Sequence, residues 1–196
     1  MSEETRRATN RLDPRLPLVL DTRELGRRPG SMRALSQSVP APDQMGVDVL
    51  GVAEGTLLEL ELRLESVVEG VLVSGTVTTT VTGECVRCLD PVTSPLVVDL
   101  QELYVYPAGR RGGQEQDEDD DTDPLPELDG DLLDLEPALR DAVVLALPLQ
   151  PLCRNDCPGL CSTCGARLED DPAHAHVEVD PRWAALQDLS DRATEH

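Results

Sequence analysis

Residues 56–82 read TLLELELRLESVVEGVLVSGTVTTTVT, and this stretch decides the fold. Leu58, Leu60, Leu62 and Leu64 alternate with Glu59, Glu61, Arg63 and Glu65. A period of two sets the leucines on one face of a β-strand and the charges on the other. Glu69-Gly70 marks a turn. Beyond it Val71, Val73, Gly75, Val77, Thr79 and Val81 share one face, with Leu72, Ser74, Thr76, Thr78 and Thr80 opposite. A third strand is expected from Pro95 to Tyr106, and the slip of its alternation near Gln101-Glu102 predicts a β-bulge. Three neighbouring strands with short links predict an antiparallel meander.

Outward from this stretch the pattern changes. Leu135, Leu139, Val143 and Ala146 recur at helical spacing. They predict a helix capped by Asp134, running to Leu147 and stopped by Pro148. It is expected to cover the apolar face of the sheet. Upstream, Leu16–Leu20 reads as an edge strand that tolerates Pro17. Residues 22–46 hold several Gly and Pro without a clean period, so a short helix or turn and a loop are expected there. Near the end, Asp180 and Pro181 predict the start of a last helix with Trp183, Leu186, Leu189 and Ala193 as its packing stripe. The fold class is therefore α+β: an antiparallel β-sheet or meander covered by a helix, with a Cys-rich C-terminal segment. The expected organisation is a disordered leader at 1–13, an α+β core at 14–150, and a Cys-rich zinc segment with the last helix at 151–190. No internal repeat is visible.

Charge and composition bound the function. The 196 residues carry 17 basic and 38 acidic side chains, a formal net charge of −21. Every basic residue is Arg, and Lys, Ile and Phe are absent, as a GC-rich genome would give. Tyr104, Tyr106 and Trp183 are the only aromatics, so the core is built from Leu, Val and Ala. Residues 114–136 hold 12 acids and no base, and an acidic disordered loop is expected at about 110–131. Such a surface repels phosphate backbones and favours basic proteins. A local excess of Arg at Arg6, Arg7, Arg11, Arg15, Arg23, Arg27, Arg28 and Arg33 leaves direct RNA contact open. The longest apolar run, Ala142 to Leu149, holds eight residues including a Pro, against the roughly 18–20 of a membrane span. The polar N-terminus has no segment of signal-peptide type. A cytoplasmic protein with no membrane contact and no small-molecule substrate is expected.

In that compartment cysteines point to metal or redox chemistry. Cys85 and Cys88 form C-V-R-C; Cys153, Cys157, Cys161 and Cys164 form C-R-N-D-C-P-G-L-C-S-T-C-G; His174-Ala-His176 follows. Six Cys and two His make eight ligands, which is two tetrahedral zinc sites. Gly165, after Cys164, supplies the permissive dihedral of a C-x-x-C turn. One division is Cys85, Cys88, Cys153 and Cys157 for one ion, with Cys161, Cys164, His174 and His176 for the other. The alternative is a single site of Cys153, Cys157, Cys161 and Cys164, with Cys85 and Cys88 left as reduced thiols. The first would tie a hairpin to the chain beyond the helix. Cys-rich closed sites are structural. Neither H-E-x-x-H nor a His-x-Glu followed by P-C-x-x-C occurs. A thiol-disulfide role for Cys85/Cys88 is the redox alternative, though Leu89-Asp90-Pro91 argues for a turn rather than a helix N-terminus. Arg87 is expected to be structural, or a donor to nearby carbonyls or acids.

At E-C-V-R-C (84–88), L-A-L-P-L (145–149), C-R-N-D-C-P-G-L-C-S-T-C-G (153–165) and D-P-R-W-A-A-L-Q-D-L (180–189) the chain resembles the YceD family of bacterial and plastid proteins. The resemblance spans roughly residues 14–190. It implies a non-enzymatic ribosome-biogenesis factor that supports large-subunit rRNA, with a large-subunit ribosomal protein or a pre-ribosomal particle as partner. Zinc-dependent direct RNA binding is the alternative. Cys85, Cys88, Cys153, Cys157, Cys161 and Cys164 fall on the family's Cys pattern. Many relatives carry C-x-C where this chain has His174-Ala-His176.

Overall fold

The structure is a computed structural model and describes residues 12–43, 45–107 and 125–176. Most of the expected leader, the acidic run 108–124 and the last helix from Asp180 lie outside the described residues. The elements in chain order are β1 (Val19–Asp21), β2 (Met32–Pro40), β3 (Met45–Val47), β4 (Leu50–Val52), β5 (Leu57–Ser66), β6 (Gly70–Glu84), β7 (Pro91–Val105), β8 (Leu132–Asp134) and α1 (Glu136–Ala146).

The long strand β6 organises the sheet. One of its edges pairs antiparallel with β7 from Gly70↔Val105 to Glu84↔Pro91. The other edge takes β5 along Val71–Thr78 and then β4 at Thr82 and Gly83. β2 extends the sheet beyond β5, and β3 beyond β4. Leu58, Leu60, Leu62 and Leu64 of β5 are buried, as are Val71, Val73, Val77, Thr79 and Val81 of β6, so both alternations hold. Thr79 is tolerated inside because its hydroxyl donates to the Leu57 carbonyl at 3.0 Å. Gly75 sits where β6 is flanked on both sides, opposite Leu62 and Leu100.

Several local expectations are corrected. The third strand starts at Pro91, not Pro95, and its register with β6 is unbroken, so no bulge occurs at Gln101-Glu102. Glu102 stands on the inward-facing row with Val98, Leu100 and Tyr104, and that one carboxylate made the alternation look shifted. Residues 32–40 form a nine-residue strand rather than a helix or loop. Its inward row is Arg33, Leu35, Gln37 and Val39, a mixture of polar and apolar side chains that hides the period. The edge strand is Val19–Asp21 rather than Leu16–Leu20, and it pairs with β8.

The helix begins after Leu135, which takes the cap position in place of Asp134; the Asp134 carboxylate accepts the Glu136 N–H at 3.0 Å from one residue earlier. Pro137 fits the first turn, where a missing N–H costs nothing. Leu135, Leu139 and Val143 are fully buried against the sheet, and α1 packs on β7 and β3. The stripe is completed by Leu147 just past the last turn, not by Ala146, which is exposed. Residues 125–131 run beside the end of β7: Leu128 is buried, Val105 N–H donates to Pro126 O at 2.8 Å, and Leu128 N–H donates to Val105 O at 2.9 Å. Leu12 N–H donates to the Asp129 carboxylate at 2.9 Å. Among the described residues no helix is long and apolar enough to cross a membrane.

The centre of β6 gives a direct test. Gly75 has φ +152°, and a Cβ there would stand 2.1 Å from the Glu61 carbonyl oxygen, a clash with backbone that no rotamer relieves. Gly75→Ala is expected to lower unfolding stability by about 3 kcal/mol, as forced overpacking does. Urea denaturation monitored by circular dichroism measures it.

Candidate metal centres

β6 ends at Glu84 and β7 begins at Pro91, so Cys85–Asp90 is the turn between the two longest strands. Leu89 N–H donates to Cys85 O at 2.9 Å, and Cys85 N–H donates to Asp90 O at 2.8 Å. The same two bonds recur in the C-terminal segment. Gly165 N–H donates to Cys161 O at 2.8 Å, and Cys161 N–H donates to Ala166 O at 2.8 Å. Leu89 and Gly165 follow the second Cys of each turn and both have left-handed φ, 63° and 73°. The two C-x-x-C turns are thus one device used twice, a repeat that their sequences conceal.

In each turn the first Cys is the focus of backbone N–H groups. Burial pushes the Cys85 thiol up, but N–H groups of Cys153, Arg87 and Cys88 and the Cys88 thiol bring it down to about 6. Backbone N–H groups of Cys164 and Thr163 lower Cys161 to about 6 against its burial. The backbone at Asp90 favours the Cys88 thiolate, yet burial and the neighbouring thiols of Cys85, Cys153 and Cys157 raise that thiol to about 12. Sulfurs this close cannot all ionise unless a cation joins them.

The chain after α1 brings the remaining donors. Val86 N–H donates to Pro151 O at 2.9 Å, Leu160 N–H to Arg87 O at 2.9 Å, and the Arg87 guanidinium to Cys157 O at 2.9 Å. Arg87 is therefore a donor to a carbonyl, as its position suggested. Gly159 has φ +80°, and a Cβ there would meet the Arg87 carbonyl oxygen at 2.9 Å, so glycine lets the two segments touch. Cys85 Sγ lies 3.9 Å from Cys157 Sγ, and Cys88 Sγ lies 3.6 Å from Cys153 Sγ. A disulfide would need ~2.05 Å. All six cysteines are free thiols. A tetrahedral ion with ~2.3 Å bonds to sulfur spaces the sulfurs ~3.8 Å apart, which matches.

Two groups of four donors result: Cys85, Cys88, Cys153 and Cys157, and Cys161, Cys164, His174 and His176, the ligand atoms of each group lying within 4.8 Å of one another. This is the first of the two divisions; Cys85 and Cys88 are not left apart from Cys153 and Cys157. In the second group Cys164 Sγ is 3.2 Å from Nε2 of both His174 and His176, and the two Nε2 atoms are 2.9 Å apart. Those spacings are a few tenths of an ångström inside the edges of a tetrahedron built on ~2.3 and ~2.05 Å bonds. Either group can hold a metal ion. They differ in setting: Cys85, Cys88 and Cys157 are buried, whereas Cys164 and His176 are exposed.

Two ion pairs join the halves and were not legible in the sequence. Arg167 grips the Asp90 carboxylate with both Nη atoms, one at 2.9 Å, and holds that carboxyl below its ordinary range. Arg154 donates to Glu169 at 2.7 Å. Asp90 and Arg167 carry no motif and stand far apart in the chain; only the folded turn brings them together.

The model of the family described as "Large ribosomal RNA subunit accumulation protein YceD" matches residues 73–190. Uncharacterized proteins of Mycobacterium tuberculosis and Mycobacterium bovis are each 44% identical over 173 residues, covering 88% of this chain and 81% of theirs. An uncharacterized protein of Mycobacterium leprae is 43% identical over 173 residues, covering 88% of this chain and 77% of its own. No solved structure matches.

Leu89 is 59% exposed and holds a conformation that glycine holds at the matched position. Leu89→Gly is expected to raise stability by about 1 kcal/mol through relief of the left-handed backbone. A higher midpoint in thermal denaturation under reducing conditions checks it.

Proposed function

The chain belongs to the YceD family, and from that premise we propose that it supports large-subunit rRNA as a non-enzymatic, zinc-stabilised ribosome-biogenesis factor in the cytoplasm. The observation that carries the non-enzymatic part is the closure of both donor groups. Each offers four protein ligands, which leaves no coordination position for a substrate or a reactive water. Cys85, Cys88, Cys153 and Cys157 would hold one Zn²⁺, and Cys161, Cys164, His174 and His176 the other. The ion supplies positive charge that lets the thiolates coexist, and a cross-link that closes the long loop from β6 to the segment beyond α1.

The contact is with a basic large-subunit protein or a precursor particle. A net charge of −21 favours a cationic surface and disfavours a phosphate backbone. Several arginines of the N-terminal cluster already have acidic partners: Arg23 pairs with Asp21, Arg27 with Asp131 at 2.9 Å and Arg33 with Glu24 at 3.3 Å. These surface pairs set a negative charge beside each of the three, which supports the protein-contact reading over direct RNA binding.

Capture of large-subunit proteins by the tagged chain from lysate is expected to survive nuclease treatment. The affinity for the purified basic partner is expected to fall roughly tenfold or more from low to physiological ionic strength. Deleting 114–123, which spares the buried Leu128, is expected to weaken it further. Capture lost on nuclease treatment would establish RNA bridging instead; salt-independent affinity with an inert deletion would overturn the electrostatic mechanism.

A further inference from the structure

The two donor groups are built from the same turn but seated differently. The first is part of the core. Its Cys85 is fully buried, Cys88 and Cys157 nearly so, and Val92 and Leu152 pack against them. Opening it requires lifting 151–160 off the β6–β7 turn, which breaks the backbone bonds from Val86 to Pro151 and from Leu160 to Arg87 and the Arg87 contact with Cys157 O.

The second group lies in the appended arm. Its C-x-x-C turn is followed by 166–173, held mainly by short-range bonds such as Asp170 N–H to Arg167 O and His174 N–H to Asp171 O. An open cavity of about 370 Å³ reaches Cys161, His174 and His176 directly. Two of its four ligands are imidazoles, His176 exposed and His174 half-buried, and a metal-bound imidazole leaves the ion without parting charge from charge. A competing ligand can therefore reach three of the four donors here from solvent, whereas the first group exposes Cys153 alone and its other three thiols stay covered until the segment over them lifts.

We propose that the Cys161/Cys164/His174/His176 group is an exchangeable site for a soft divalent cation, loading and unloading while the Cys85/Cys88/Cys153/Cys157 group stays filled. The inference rests on the zinc reading above and adds regulation to it: availability of the ion sets the conformation of 161–176 without disturbing the sheet. When the ion leaves, the two imidazoles and two thiols are released from one another. The arm then keeps only its ion pairs to Asp90 and Arg154 and its few backbone bonds.

The test uses the full chain, reconstituted with Zn²⁺ and challenged under reducing conditions with a chromophoric chelator. The expected result is two equivalents released in two phases at least tenfold apart in rate. His174→Ala/His176→Ala, confined to the arm, is expected to remove the fast phase and keep the slow one. Amide exchange should speed up across 161–176 after the fast phase, with β6 and β7 still protected. A single phase containing both equivalents overturns the proposal, as does a fast phase that survives in the double variant or a slow phase that disappears with it. A chain that retains no zinc at all overturns the zinc reading itself, and so the two failures are distinguishable.

Discussion

Four thiols converge where the two longest strands turn back on each other. The described residues C-terminal to the helix, 147–176, dock on the sheet at that convergence. Without a cation the arrangement is self-opposing: one sulfur can ionise, and its charge and the buried setting then hold the others protonated. With a cation the same closeness becomes a clamp. The surrounding backbone suits the second case, since N–H groups converge on Cys85 and Arg87 bridges to the carbonyl of Cys157. On the zinc reading, an aromatic-poor core of Leu and Val gains there an anchor whose strength does not depend on apolar area.

How much of this could be read from residues follows from where side chains answer to one surface only. β5 and the second half of β6 face the core on one side and solvent on the other, so their alternation was plain. β2 was invisible because its inner row mixes Arg33, Leu35 and Gln37, polar and apolar side chains on one half-buried face. Glu102 misled in the same way on β7. The helix was legible from its stripe, but its ends were not. Asp134 does serve the first turn, one residue earlier than a cap, and Leu147 completes the stripe from beyond the last turn.

For the site, residue types and spacing disclosed the donors, and the grouping stayed ambiguous. Spacing says which sulfurs share a turn; it does not say which turn meets which. The structure answers through backbone contacts that no side-chain pattern encodes, above all Gly159 against Arg87 and Val86 against Pro151. The kinship of the two turns was equally hidden. It lives in hydrogen bonds and in a shared left-handed residue, served by Gly165 in one and by Leu89 in the other.

The clasp between β1 and β8 has a consequence for biosynthesis. Leu18, Val19 and Leu20 are buried in the finished protein, and the strand they belong to pairs with Leu132–Asp134. During translation these apolar residues emerge early and stay uncovered until their distant partner leaves the exit tunnel. The central hairpin can assemble sooner, because its strands are adjacent in sequence. Strand β1 therefore finds its place later than the central hairpin, and a nascent chain stalled before residue 132 would present a greasy, unpaired segment to chaperones.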